Sequence, residues 1–489
     1  MFLPKREPCC GRKLISQQID NMAPSLALFL WLILLLALLR FDPAKEPGTS
    51  LALWVPVIWM FIVGSRLPSQ WLAGQFQPGA AAALEEGNPL DRTIFSVLVL
   101  LAIGILMSRS FKWGGFFARN WALTAFVFFA LVSVSWADFP FVALRKWFRD
   151  LGNYLVILVA LSDPRPLEAV RAVLRRVSYL LVPLSILLIK YYPTIGKNND
   201  YWTGANSYIG ATLGKNLLGV ACLISGLFFF WDTLTRWPER KERRTRRIIL
   251  VNLAFIAMTL WLLNLANSTT CWVCLTLGCL VIAAAHTSWV KRRPAFLKLL
   301  IPASFCLYLV LAFGFDMSGE LAKAVGKDPT LTDRTRIWAI LFSMHTNPLV
   351  GTGYESFWLG PRVQTFWQNG LGGINEAHNG FLEVYLNLGL VGLFFLVGFL
   401  IASYRTICRR LRPFSSLASL TLAIWITMLF YSVTEAGFRI GLMWLTFLLG
   451  ALTVRTRGKQ RVHSSAALEN AGSPEQIPSL SLEMTGQRR

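Results

Sequence analysis

Between Pro24 and Val454 the chain repeats one feature, an apolar window of about 15 to 22 residues, the length an α-helix needs to cross a hydrocarbon core of about 30 Å. The windows fall near 24–39, 50–64, 93–107, 121–136, 150–162, 177–191, 214–231, 248–265, 270–286, 298–315, 381–403, 415–433 and 440–454. They predict an all-α polytopic membrane protein with about 12 to 13 transmembrane helices. Composition agrees: 54% of residues are hydrophobic, only 15% are charged, and the mean hydropathy is +0.50. Soluble domains rarely reach that balance.

A net charge of +22 invites a nucleic-acid reading, which the placement of the charge argues against. The basic residues sit in short runs beside apolar windows: `RWPERKERRTRR` from Arg236, `KRRPAFLK` from Lys291, `RTICRRLR` from Arg405 and `RTRGKQR` from Arg455. That is the positive-inside pattern. It puts 192–213, 266–270, 316–380 and 434–439 on the opposite face, the periplasm in a Gram-negative bacterium. Thirteen crossings would leave Lys5, Arg6, Arg12 and Lys13 on that face too, so one early window, 150–162 or 24–39, is expected to fall short of a full crossing. No cleavable signal pattern is evident at the N-terminus. The layout expected is a polar segment 1–23, membrane helices 24–315, an outer loop 316–380, membrane helices 381–454 and a Ser-rich, disordered cytoplasmic tail 455–489.

Eight scattered cysteines argue against a disulfide framework, and `CWVC` at Cys271 to Cys274 opens an apolar window, where inert buried thiols are expected. The outer loop, 65 residues from Asp316 to Gly380, is too long for a plain connector. Within it `TDRTRIWAILFSMHTN` reads as a helix capped by Thr332 or Asp333 and stopped by Pro348, with Arg334, Trp338, Leu341 and His345 on one stripe. `GTGYESFW` from Gly351 superficially resembles a phosphate-binding loop, yet no strand precedes it and no Lys-Ser/Thr follows. Its glycines are read as a tight turn.

The stretch `NEAHNGFLEVYLNLGLVG`, from Asn375, starts polar and runs into the window 381–403. Asn379, Glu383 and Asn387 are four residues apart and share one helix face. Glu383 must then look into the bundle or a wet cavity, as glue between helices or as a reactive group. His378 stands at the corner, either as a capping or solvated loop residue or as a functional one.

His378, Asn379, nine residues, Gly389, two residues and Gly392 match the H-[NSQ]-x9-G-x-x-[GTY] pattern of the O-antigen ligase superfamily, which this chain resembles. `TDRTRIW` is similar to that family's arginine-bearing segment, and the long loop followed by a few last spans is similar to its architecture. `IWMFIVGSRLPSQWL`, `NPLDR` and `GATLGKNLLG` resemble the branch associated with exopolysaccharide production. The resemblance implies transfer of a glycan from an undecaprenyl-pyrophosphate carrier to an acceptor hydroxyl, at the periplasmic face of a bacterial inner membrane. His378 then becomes the candidate base, and Arg334, or alternatively Arg336, the candidate pyrophosphate ligand. Lys215, at a helix start, is the candidate second cation, and Asn379 and Glu383 complete the expected substrate-facing set. `ANSTTC` from Ala266 departs from the family, carrying hydroxyls where many relatives carry a basic residue. No metal motif is present, and neither metal nor cofactor is expected. The expected partners are the lipid-linked donor, a glycan or lipid acceptor, and membrane lipid, with no nucleic acid. The acceptor itself is not legible. A transporter or flippase of lipid-linked glycans is the rival reading; the internal repeats it calls for are not found.

Overall fold

The computed structural model describes residues 23–43, 49–73, 87–199, 206–292, 298, 302–306, 334–411 and 416–454. The polar segment 1–22, most of the window 298–315, the loop residues 316–333 and the tail 455–489 lie outside the described residues.

The fold is all-α and polytopic, as expected; among the described residues the sheet content is one two-stranded ribbon, β1 (Lys197–Asn199) with β2 (Asn206–Tyr208). The helices are α1 (Pro24–Arg40), α2 (Trp54–Gly64), α3 (Pro68–Ala73), α4 (Pro89–Ser108), α5 (Trp113–Arg119), α6 (Trp121–Val132), α7 (Pro140–Leu161) and α8 (Pro166–Tyr191). They continue with α9 (Lys215–Arg236), α10 (Arg243–Ala266), α11 (Thr269–His286), α12 (Arg334–Ser343), α13 (Pro361–Gln368), α14 (Gly380–Arg410), α15 (Ser416–Thr434) and α16 (Leu442–Ala451). Among the described residues seven are long and apolar enough to cross a membrane: α4, α8, α9, α10, α11, α14 and α15. Helices α5 and α6 together pass the same test but bend by 96°.

The window 24–39, one of the two expected to fall short, is the shorter apolar helix α1; 50–64 and 440–454 also form shorter apolar helices, α2 and α16. The window 150–162 is the second half of α7, which starts at Pro140, so the basic run `FVALRKWFRD` is the first half of one continuous helix. Its apolar and charged halves face different surroundings: Phe141 and Phe148 are exposed, while the stretch from Leu155 to Leu161 is buried.

Helices α8, α9 and α15 are packed on nearly all sides, whereas α4 and α10 keep leucines and valines on the outside. That is the division expected between a bundle centre and a lipid-facing rim, since lipid is as apolar as the core. The arginine run 236–247 follows the C-terminal end of α9. At 1.5 Å per residue, Arg236 lies about 30 Å from Lys215, so the basic end of the bundle and the end carrying `GKN` are opposite.

The segment 348–358 is laid against α14. Gly389 interrupts that helix with φ +65°. A Cβ there would come within 2.2 Å of the Leu349 carbonyl oxygen, so only glycine admits this contact. The helix break frees the N–H groups of Leu390 and Val391, which donate to the carbonyls of Pro348 and Leu349 at 2.9 and 3.0 Å. Thr352 N–H returns a bond to Leu386 O at 3.1 Å. Glycine here therefore admits a loop backbone. `GTGYESFW` is the tight turn expected, with Gly351 at φ +66° and Gly353 at φ +89°. A small core beneath the loop, including Ile337, Leu341, Phe357, Trp358, Phe366 and Leu386, makes it a folded body.

Candidate functional site

Asn379 is the N-cap of α14: its Oδ1 accepts from the N–H groups of Phe381 and Leu382, both at 3.0 Å. The residue before it, His378, has φ +48°, a left-handed conformation that non-glycine residues adopt only when their surroundings impose it. Two contacts, one buried and one half-buried, hold it by gripping the peptide groups of Ala377. The carboxylate of Glu383 accepts from Ala377 N–H. The Trp338 indole donates to Ala377 O at 2.9 Å. Glu383 also accepts from the Trp358 indole at 3.0 Å. Asn387, a turn further on, accepts from Phe357 N–H at 3.2 Å. The polar face of α14 is thus the surface on which the loop is hung, and the corner histidine is aimed by it.

What His378 meets is Glu435, in the short connector between α15 and α16. Glu435 Oε1 accepts from Arg334 Nη2 at 2.7 Å and from Asn216 Nδ2 at 3.0 Å. Its Oε2 lies 3.3 Å from His378 Nδ1. Glu376 Oε1 lies 3.0 Å from the same nitrogen. One carboxylate therefore gathers residues from the starts of α9 and α12, the corner before α14 and the end of α15. Among the described residues, Nε2 of the imidazole has no hydrogen-bond partner.

Burial disfavours the charged imidazole, but the carboxylates of Glu376 and Glu435 outweigh it and push the His378 pKa up to about 10. Burial works against the charged Glu376 as well. His378 first, then Arg439 and Arg334, bring its carboxyl down to about 2. The resting site holds an imidazolium between two carboxylates.

The sequence singled out six residues, and the structure joins two of them directly through Glu435, His378 and Arg334. Lys215 is the first residue of α9, adjacent to Asn216. Arg336 points elsewhere, its guanidinium donating to Asn369 O, and is exposed. Asn379 uses its Oδ1 for capping and its Nδ2 for Val433 O at 3.1 Å. Glu383 is buried beneath the loop. His345 lies beyond the end of α12 and is exposed. In `ANSTTC`, the hydroxyls of Thr270 and Thr434 are 3.1 Å apart, tying this segment to the end of α15.

Sequence reasoning missed Glu435, Glu376, Asn216 and Arg439. Arg439 donates to Asn375 O at 2.9 Å and to Glu355 at 3.2 Å. It bridges the histidine corner to a second polar group, in which burial opposes the charge of Glu355 but Arg439 and Lys146 hold its carboxyl near 2. The available signal was the connector 434–439, placed on the same face as the loop and carrying an acid and a base within five residues.

The donor atoms of Glu376, His378 and Glu435 lie within 4.8 Å of one another, a spacing that suits a metal ion. The cluster as it stands pairs two carboxylates with two cations, Arg334 and the imidazolium. A divalent ion bound there has to displace the histidine proton and sit beside a guanidinium.

Residues 253–397 match the family model of the O-antigen ligase domain. The exopolysaccharide production protein ExoQ of Rhizobium meliloti (strain 1021) is 25% identical over 303 residues, 60% of this chain and 66% of that protein, so the chain spans just under two thirds of the relative's length. The matched region includes α12, the loop and the histidine corner. Over 253–397 the chain is similar to the O-antigen ligase domain, and over a wider stretch it is similar to an exopolysaccharide production protein.

Proposed function

We propose that this protein is a glycosyltransferase moving a glycan from undecaprenyl pyrophosphate to an acceptor hydroxyl at the periplasmic face of a bacterial inner membrane, as a polymerase or ligase in surface-polysaccharide synthesis. The observation that carries the reading is the sharing of Glu435 by His378 and Arg334. One group suited to bind a leaving pyrophosphate and one suited to take a proton are held by a single carboxylate, at the end of the bundle opposite the arginine run. Arg334 offers a planar fork to phosphate oxygens, with Lys215 at the start of α9 as a second cation.

In the reaction, the acceptor oxygen attacks the sugar's anomeric carbon. The bond to the pyrophosphate breaks with its electron pair going to the leaving group, and the hydroxyl proton passes to Nε2 of a His378 that has first released its own Nε2 proton to solvent. Glu435 and Glu376 on Nδ1 fix the tautomer that leaves Nε2 able to accept, the logic of a carboxylate–histidine pair. The cations neutralise the leaving group, so no metal is required.

Purified protein with a polyprenyl-pyrophosphate glycan tests this. Release of polyprenyl pyrophosphate with glycan coupling, unaffected by a chelator, is the expected result. Passage of intact lipid-linked glycan across a vesicle without coupling would establish the transport reading instead, and loss of coupling on chelation would install the metal.

A further inference from the structure

The three sequence blocks that carry the exopolysaccharide-branch resemblance are far apart in the chain and meet in one place. Arg66, of `GSRLPS`, is buried at the end of α2. Its Nη2 donates to the carbonyls of Ile195, Gly210 and Thr212 at 2.6, 3.3 and 3.3 Å, and its Nε to Thr212 O at 3.3 Å. Among the described residues no carboxylate meets this guanidinium, which lies 5.3 Å from the Trp71 ring centre. A buried cation with only carbonyl partners is costly to retain. What it secures is the backbone between α8 and α9.

Both flanks of that clamp are pinned. Asp91, in `NPLDR` at the first turn of α4, accepts from Ser69 N at 2.9 Å and Ser69 Oγ at 2.5 Å, fixing the start of α3 just beyond Arg66. On the other flank Gly210, in `GATLGKN`, has φ +56° and is wedged against Ser185 of α8, where a Cβ would come within 2.6 Å of the serine Cβ. Ala211 N–H donates to Ser185 Oγ at 3.2 Å. Thr212 Oγ1 then donates to Gly214 O at 2.9 Å, immediately before Lys215 and Asn216. The turn runs directly into the first residues of α9, so it holds the N-terminal end of a helix whose axis the bundle packing sets. The Asn216–Glu435 bond, at 3.0 Å, is lost after a displacement of about half an ångström.

We propose that Arg66 is a positioning residue: it anchors the 195–212 backbone so that Asn216 reaches Glu435, and through Glu435 it sets the geometry of His378 and Arg334. This role in transfer rests on the function proposed above, whereas the anchoring does not. Arg66→Lys keeps the charge and loses the fork; Arg66→Ala loses both.

Hydrogen exchange on detergent-purified protein separates the two levels. Arg66→Ala is expected to raise exchange at least tenfold across 209–218 while α10 and α14 stay protected, with Arg66→Lys intermediate. Unchanged exchange at 209–218, or an increase spread over all helices, would overturn the anchor. In the transfer assay, Arg66→Ala and Asn216→Ala should each lower the rate at least tenfold. The double variant should be little worse than either alone, since both changes break one linkage. Losses that multiply, or no loss in a variant whose 209–218 amides exchange fast, would overturn the link to the site. If the wild type itself couples no glycan, the proposed function fails and the exchange arm still judges the anchor.

Discussion

Two charged clusters sit near the two ends of α9, about 24 Å apart at 1.5 Å per residue, and the contrast between them supports the proposed working end. Near the basic end, Asp232 accepts from Arg175 at 2.5 Å, from Asn252 at 2.8 Å and from Arg236 at 3.0 Å. Asn252 in turn accepts from Arg175 at 3.2 Å. Arg175 and Asp232 are 2% and 0% exposed and lie on regular helices. At the other end the side chains grade outward, with Glu435 at 5%, Arg334 at 14%, His378 at 26% and Glu376 at 32% exposure, and Glu435, His378 and Glu376 sit on connectors and corners. The first cluster has a closed centre in Arg175, Asp232 and Asn252, with Arg236 at its rim 20% exposed, and it ties α8, α9 and α10 together. The second has an open side and a ring nitrogen with no partner among the described residues. Buried ionisable groups in a membrane protein are commonly taken as functional; here the backbone setting and that ring nitrogen favour the second cluster as the site.

The largest effect expected in breaking this contrast is at His378. His378→Ala and His378→Gln should cut glycan transfer by about 10² to 10⁴ with normal accumulation in the membrane, and His345→Ala should stay near wild type. Near-normal transfer in the purified His378 variants would pass the role of base to another group, with Glu383 the first to test. Next comes Arg334, where replacement by Lys should be nearly as damaging as by Ala, because an ammonium lacks the two-point fork. Arg336→Ala should cost little, since that side chain reaches Asn369 O. A fully active Arg334→Lys protein would exclude the fork.

Asp232→Ala should act on the fold and spare the chemistry. Leaving Arg175 buried without its partner costs about 3–5 kcal/mol, so thermal stability and protein level should fall while the surviving protein keeps its specific transfer rate. A specific-rate loss as large as that of His378→Ala would erase the distinction between the clusters.

The smallest effect is a shift in pH profile. His378 becomes a base only on losing its proton, so transfer should rise with pH toward about 10. Removing one carboxylate in Glu435→Gln lowers the imidazole pKa, and the rise should move to lower pH; an unmoved profile would separate Glu435 from the imidazole. The same linkage bears on stability. A folded-state pKa raised above the usual value of about 6.5 gives stabilisation that is full below about 6.5 and lost as pH rises through about 10, a dependence His378→Gln should remove.

Apolar length and pattern alone determined the fold class and the placement of most membrane helices, because the hydrocarbon thickness sets how long an apolar run has to be. Charge beside those runs distinguished the two ends, and the residues around His378 and `TDRTR` carried the family resemblance. Tertiary structure alone decided which groups share a site. Arg334 and Glu435 are 101 residues apart, and nothing local marks an acid in a six-residue connector as the partner of either His378 or Arg334. Tertiary structure also gave the polar stripe of Asn379, Glu383 and Asn387 its use, since helical spacing places three side chains on one face but leaves open what covers them. A buried amide or carboxylate takes its role from the donor or acceptor packed against it, and that partner comes from a different stretch of chain.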